Sequence, residues 1–264
     1  MKPVIHFAHA NGIPSQTYQP LFDALSDQYE VIYVPLLGIN ELYPVDDQWK
    51  LLTQQVIDSI ELQNQGQQVI AVGHSLGALL SYQAAQLRPD LIKQVIMLDP
   101  PLIMGTASLA LHLAKYAGSG FMDKFTPAGL SARRRDHWQN REDAAIRLRQ
   151  RGFFKEFDQD CFDAYIRYGL CDDLHQGGVT LTIPKRVEVE IFRKMPSLWW
   201  LPGIVSSKVT VDQVVGNQSP FLKQKNPQKA QKKLGITYHL VEGGHMFPLQ
   251  YPKQTVQTIK QLIK

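Results

Sequence analysis

Val69-Ile70-Ala71-Val72-Gly73-His74-Ser75-Leu76-Gly77-Ala78-Leu79-Leu80 decides the fold, because a β-branched apolar run enters Gly-x-Ser-x-Gly and an apolar helical pattern leaves it. That order predicts a buried strand, a sharp turn and a helix. A serine at such an elbow takes a strained backbone conformation that lifts its hydroxyl above the sheet. Gly73 and Gly77 remove the side chains that would block the tight crossing of strand and helix. The helix is expected to stop at Arg88-Pro89, since the residue before a proline is driven out of helical geometry. A serine between glycines is a weak signal alone. The strand before it and the helix after it supply the context that a nucleophile elbow requires.

Working outward, Pro3-Val4-Ile5-His6-Phe7-Ala8-His9 reads as a buried strand running into the loop His9-Ala10-Asn11-Gly12-Ile13-Pro14-Ser15. Pro20, after Ser15 and Thr17 as cap residues, opens an amphipathic helix over 20–26, and 31–35 is a short strand. Within 47–63, Leu51, Leu52, Val56, Ile57 and Ile60 recur at helical spacing, which predicts a helix crossing the sheet. Beyond the elbow helix, Gln94-Val95-Ile96-Met97-Leu98-Asp99-Pro100-Pro101 is a buried strand cut off by two prolines. Strands alternating with helices predict an α/β fold with a mostly parallel, doubly wound sheet.

From 102 to 206 that alternation is lost, and helical patterns fill 108–116, 141–151, 159–168 and 187–194. It returns with a strand at 208–216, a helix at 227–234, a strand at 236–241 and a closing helix at 254–263. The expected organisation is a core of 1–101 and 207–264 interrupted by a helical cap of 102–206. Trp199-Trp200, beside Pro196 and Pro202, either line a pocket entrance or pack the cap.

A chain of 264 residues with 44% hydrophobic and 20% charged residues is long enough for a sizeable core and has the balance of a globular protein. No run approaches membrane-spanning length and no basic leader opens the chain, so a cytoplasmic protein without an integral membrane segment is expected. Cys161 and Cys171, in a stretch read as polar and helical, exclude a disulfide framework, and no metal-ligand cluster accompanies them. The net charge of +4 selects no class of partner. Arg133-Arg134-Arg135, followed by Arg141, Arg147, Arg149 and Arg151, makes part of the cap basic. A solvated helical face accounts for the run, as does an anionic substrate or partner. Without interleaved stacking aromatics or a nucleic-acid motif, no nucleic-acid partner is expected, and no glycine-rich nucleotide loop marks the sheet.

After the last predicted strand comes Glu242-Gly243-Gly244-His245-Met246-Phe247-Pro248. Ligands of open α/β sheets sit at the C-terminal strand ends, and a serine hydroxyl becomes a useful nucleophile only when an imidazole takes its proton. His245 is the candidate base. Through Gly73-His74-Ser75-Leu76-Gly77, the His9-Ala10-Asn11-Gly12 loop and Gly243-Gly244-His245, the chain resembles the α/β-hydrolase family over nearly all of both core parts. Within it the chain resembles the capped esterase and lipase-like branch, with Ala10 where glycine is usual. The resemblance implies an oxyanion hole built from the backbone N–H groups of Leu76 and Asn11, and chemistry without metal or organic cofactor. A plain turn role is the alternative for Asn11.

Many members of that family carry an aspartate after the strand that here ends at Val215-Gly216. This chain has Gly216-Asn217-Gln218-Ser219-Pro220-Phe221, with Ser219 at the acid's place, and no Asp or Glu from 217 to 240. Asp99 is the candidate acid, since it ends the strand next to the elbow strand and keeps the order Ser75, Asp99, His245. Asp212, inside a strand, and Glu242, beside the base, are weaker candidates. The expected function is hydrolysis of a small ester or similar acyl bond through an acyl-enzyme. A carbon–carbon bond hydrolase using the same three residues and a non-catalytic binding protein are the alternatives.

Overall fold

The computed structural model describes residues 2–64, 66–198 and 209–264. In chain order it opens with β1 (Val4–Ala8), α1 (Gln19–Leu25), β2 (Glu30–Tyr33), α2 (Lys50–Gln63), β3 (Val69–His74), α3 (Leu76–Leu87) and β4 (Ile92–Leu98). There follow α4 (Thr106–Tyr116), α5 (Ser119–Phe125), α6 (Ala128–Arg133), β5 (His137–Trp138), α7 (Arg141–Arg149), α8 (Gln159–Tyr168), β6 (Leu170–Asp172), β7 (Val179–Leu181) and α9 (Lys185–Arg193). The chain closes with β8 (Thr210–Gly216), α10 (Pro220–Lys223), α11 (Asn226–Leu234), β9 (Thr237–Val241), α12 (Phe247–Gln250) and α13 (Pro252–Leu262).

Six strands form one sheet in the order β2-β1-β3-β4-β8-β9, and each neighbouring pair is parallel. The central strands β1, β3 and β4 are buried on both faces, whereas the edge strands β2 and β9 are partly exposed, and the central side chains divide with period two. Val4, Ala8, Val69, Ala71, Val95 and Met97 join the apolar cluster shared with α2 and α3. Ile5, Phe7, Ile70, Val72, Ile96 and Leu98 join the one shared with α1 and α13. Each fully buried Val, Ile or Leu contributes about 1.5–3 kcal/mol, so a one-residue slip would empty both clusters at once.

This strand order creates a switch point. From β1 the chain leaves toward β2 on one side, and β3 lies on the other. The loops after β1 and β3 therefore part at neighbouring strand ends and leave a crevice between them. The positions after β3, β4, β8 and β9 all open at this same edge.

Three expectations need correction. The helix expected over 47–63 begins as a 3-10 turn, Asp47–Trp49, in which Gln48 and Trp49 have φ of 65° and 59°. The indole N–H of Trp49 donates to Ile191 O at 2.9 Å, so a tertiary anchor overrides the local helical spacing. Nor is the segment after β4 wholly helical: β5, β7 and β6 make a three-stranded antiparallel sheet. Cys171 thus stands on a strand, whereas Cys161 is buried in α8, and both thiols are free. Trp199, Trp200 and Pro202, and the expected return to the core at 207, lie outside the described residues.

Candidate active site

Ser75 follows β3 with φ 53° and ψ −110°, a strained conformation for a residue with a Cβ. Its N–H donates to Leu98 O at 2.9 Å, which extends the sheet ladder past the strand and fixes the turn. The elbow also needs its glycines. A Cβ on Gly73 would overlap the Gly77 carbonyl, and one on Gly77 would overlap the carbonyl of Ala8 in β1. Leu76 is the first residue of α3, so its N–H has no preceding helical carbonyl to bond.

Asp99 follows β4 in the same way, with φ 43° and its N–H donating to Val214 O at 2.8 Å. Its carboxylate is fully buried. The Gly216 N–H donates to Oδ1 at 3.2 Å, and the Ser219 hydroxyl donates to Oδ2 at 2.7 Å. Those bonds hold a charge that burial would otherwise penalise by several kcal/mol.

His245 lies between the two. Its Nδ1–H donates to Asp99 Oδ2 at 2.7 Å, and its Nε2 stands 3.0 Å from Ser75 Oγ. Since a carboxylate only accepts, the proton belongs on Nδ1 and leaves Nε2 free to receive one from the serine. Phe221 meets the imidazole edge-on, with ring centroids 5.2 Å apart. Its loop is carried by the loop that lacks the acid. The Gln218 N–H donates to Gly243 O at 2.9 Å, and a Cβ on Gly216 would meet the carbonyls of Gly243 and Gly244 at 2.5 Å each.

The structure thus brings Ser75, His245 and Asp99 into one hydrogen-bonded line. Asp212 and Glu242 stand outside it. The Asp212 carboxylate meets His239 Nε2 at 3.2 Å and Gln94 Nε2 at 3.3 Å, and Glu242 bonds the Tyr251 hydroxyl. Asn11 lies in the loop after β1, beside the elbow, where the Gly77 N–H donates to His9 O at 3.1 Å. The Asn11 side chain does not close its own loop: its Nδ2 donates to Glu188 O in α9 at 3.0 Å.

Sequence inspection missed three supporting side chains. His74, the variable residue of the elbow motif, is fully buried and meets His245 O through Nε2 at 2.8 Å. That carbonyl requires Nε2–H, so Nδ1 accepts from the Tyr18 hydroxyl at 2.7 Å. Burial, then the neighbouring His245, pushes the His74 pKa down to about 3, so the ring stays neutral. Tyr18 in turn receives the Ala10 N–H at 3.4 Å. Elbow, base loop and β1 loop are therefore tied together by one line of neutral groups. His9 adds a further tie, with Nε2 accepting from the Leu37 N–H at 2.8 Å. No pattern in the sequence pointed to Tyr18; a histidine inside a buried motif was a signal for His74.

A model of the Alpha/beta hydrolase family matches residues 7–258. The chain is similar to a type I acyl-CoA thioesterase of Penicillium roqueforti, 24% identical over 180 residues that cover 62% of this chain and 39% of the thioesterase. It is also similar to a 2-(acetamidomethylene)succinate hydrolase of Mesorhizobium japonicum, 29% identical over 161 residues that cover 59% of this chain and 56% of that protein. The chain thus spans less than two thirds of the length of these relatives. Among solved structures, E-2-(acetamidomethylene)succinate hydrolase superposes with a TM-score of 0.77 at 20% identity, covering 99% of this chain and 91% of that one. A thioesterase domain from the curacin biosynthetic pathway does so with a TM-score of 0.73 at 19% identity, covering 98% and 91%. At these identities the likeness is one of fold.

Proposed function

The chain belongs to the alpha/beta hydrolase family, and on that premise we propose that it cleaves an ester or thioester-like acyl bond through an acyl-enzyme on Ser75. The observation that carries this reading is the line Asp99–His245–Ser75, with 2.7 Å and 3.0 Å links at the C-terminal edge of the sheet. As Ser75 Oγ attacks the carbonyl carbon, its proton passes to His245 Nε2, and Asp99 stabilises the imidazolium that forms. The carbonyl oxygen becomes an oxyanion, held by the N–H groups of Leu76 and Asn11 at about 3 kcal/mol each. Collapse returns the proton from Nε2 to the leaving alcohol or thiol, and a water molecule, activated by the same imidazole, releases the acid.

In this reading Ser219 acts on the acid, not in its place. Its hydroxyl and the Gly216 N–H orient Asp99 toward His245. Residues 102–198 act as a lid, tied to the Asn11 loop through α9. The thioesterase and hydrolase relatives favour acyl substrates of small molecules, with thioesters beside esters in the first panel.

The test is a hydrolysis panel of p-nitrophenyl esters of increasing acyl length, thioesters and amides, with Ser75→Ala as the blank. Wild type should turn over at least one class and the blank none, and a fluorophosphonate should label Ser75 alone by mass spectrometry. Equal turnover by wild type and Ser75→Ala would end the acyl-enzyme assignment.

A further inference from the structure

Five arginines that the proposed chemistry does not use converge on one cavity. Arg133, Arg134 and Arg135 come from the end of α6 and the turn after it, and Arg147 and Arg151 from α7 and the turn that leaves it. The cavity has a volume of about 380 Å³, within the range of ~300–1,000 Å³ usual for small-molecule sites. Trp138, Phe153 and Phe154 supply its aromatic wall.

Charge in this cavity is only partly balanced by the protein. Arg134 pairs with Glu188, and Arg147 pairs with Asp143 at 2.6 Å. Among the described residues, no carboxylate lies within ion-pair distance of Arg133, Arg135 or Arg151, and Arg133 is offset only by the more distant Asp123. Guanidinium groups repel one another, and an anion bound among them relieves that repulsion with charge-assisted hydrogen bonds. One donor on the same wall also lacks an acceptor: the indole Nε1 of Trp138 is buried with no hydrogen-bond partner, and Trp138 is only 2% exposed. Buried donors in native proteins are as a rule satisfied, so this N–H is open to an acceptor. Arg134, by contrast, is engaged by Glu188 and by the Tyr165 hydroxyl.

Beside the charges stands a flat apolar surface. Phe153 is 43% exposed, and its ring centroid lies 4.5 Å from that of Phe154 and 5.7 Å from that of Phe157, nearly parallel to the latter at 24°. An exposed aromatic face next to unpaired guanidiniums suits a ligand with a planar ring at one end and phosphates at the other.

We propose that this cavity binds a phosphorylated nucleoside. The unpaired arginines take the phosphates, and Phe153 stacks on the base. Its link to the active site is direct in the fold: Arg134 pairs with Glu188, whose backbone carbonyl holds Asn11 and whose carboxylate fills the space a Cβ on Gly12 would need. Resting on the acyl-transfer reading, the nucleotide is the handle of an acyl thioester whose carbonyl lies at Ser75. A free nucleotide has the same chemistry, and the experiment separates the two.

Calorimetric titration of the full chain with adenosine 3′,5′-bisphosphate should give saturable binding, stronger than that of adenosine or inorganic phosphate alone. Arg135→Ala combined with Arg151→Ala should weaken it about tenfold or more, and Phe153→Ala should weaken adenosine 3′,5′-bisphosphate but not phosphate. These side chains are exposed, so the variants keep the fold, and their hydrolysis of p-nitrophenyl acetate should match wild type. Ser75→Ala should bind the nucleotide normally, which separates this site from the acyl-enzyme assignment. For the handle, kcat/KM on acetyl-coenzyme A relative to its N-acetylcysteamine analogue should fall in the double arginine variant; an unchanged ratio with intact binding assigns the site to the free nucleotide. Absence of saturable binding by wild type, or equal affinity in the arginine variant, would overturn the proposal.

Discussion

The strand ends that carry Ser75, Asp99 and His245 and the segment packed against them, residues 102–198, solve the problem of polar groups in opposite ways. In the sheet and at its strand ends the polar side chains are buried, mostly neutral and bonded in pairs: His6, within β1, to Ser59, His9 to the Leu37 N–H, His74 to Tyr18, Ser219 to Asp99. The 102–198 segment keeps most of its charges at or near the surface, with Glu188 the buried exception among the described carboxylates there, and leaves apolar side chains such as Leu113 and Tyr116 in water. One region is fixed before substrate arrives. The other is held to the core at scattered points, among them Trp49, Asn11, the Gln48–Ser197 bonds and the Asp158 N–H to Leu249 O bond, and by apolar side chains that enter both core clusters.

Acid gives the largest test of that contrast. An unperturbed histidine takes its proton near pH 6.5. Burial pushes His6 down to about 3 and His9 to about 4, and burial with His245 pushes His74 to about 3. Between about pH 6.5 and 4 the unfolded chain therefore binds more protons than the folded one. The stability these residues supply is complete above pH 6.5 and falls as pH drops through that window. At pH 5 each costs about 2 kcal/mol, a large part of a typical domain's stability in sum. Urea midpoints at pH 7 and pH 5 measure it, and equal midpoints would break the contrast.

Next in size is Asp99→Asn. Losing the carboxylate that holds the His245 tautomer should lower kcat by about 10⁴-fold, with the far-ultraviolet spectrum unchanged. A smaller effect is expected from Glu188→Gln, which leaves Arg134 without its counter-charge. Because Arg134 is about a quarter exposed, the loss should be about 1–2 kcal/mol, seen as a drop in Tm of a few degrees. Smallest is Ser219→Ala, which removes one charge-assisted hydrogen bond from Asp99 and should lower kcat/KM about tenfold while leaving KM nearly unchanged. An effect of Ser219→Ala as large as that of Asp99→Asn would move the serine from support to the proton relay itself.

The same two regions differ in how much of them could be read from sequence. The central strands are apolar runs rich in Val and Ile, because burial on both faces leaves little room for polar alternation, and the loops at the functional edge carry Gly73, Gly77 and Gly243-Gly244-His245. Strand order, the acid-free stretch from 217 to 240 and the resemblance together single out Asp99 as the partner of His245, with Asp212 and Glu242 as weaker candidates. By contrast, β5, β6 and β7 have two or three residues each, too few to establish a period, and their existence depends on pairing across distant segments. A usable signal was present in Gly177-Gly178 before Val179-Thr180-Leu181, a turn followed by alternation. The arginine run was visible as charge, but not as a cavity, since its walls come from separate elements. Tyr18 and the break at Trp49 were invisible because each is decided by a partner far away in the chain.

The length of chain between the sheet neighbours β4 and β8 also sets a timetable for synthesis. Ser75 and Asp99 leave the ribosome early, but β8, which covers the open edge of β4, follows only after about 110 further residues. At roughly 5–20 residues per second that edge stays bare for several to about twenty seconds. A long, apolar, unpaired strand edge is a template for wrong partners. The nascent chain is thus most exposed to aggregation when two of its three central side chains already exist and the third has yet to be made.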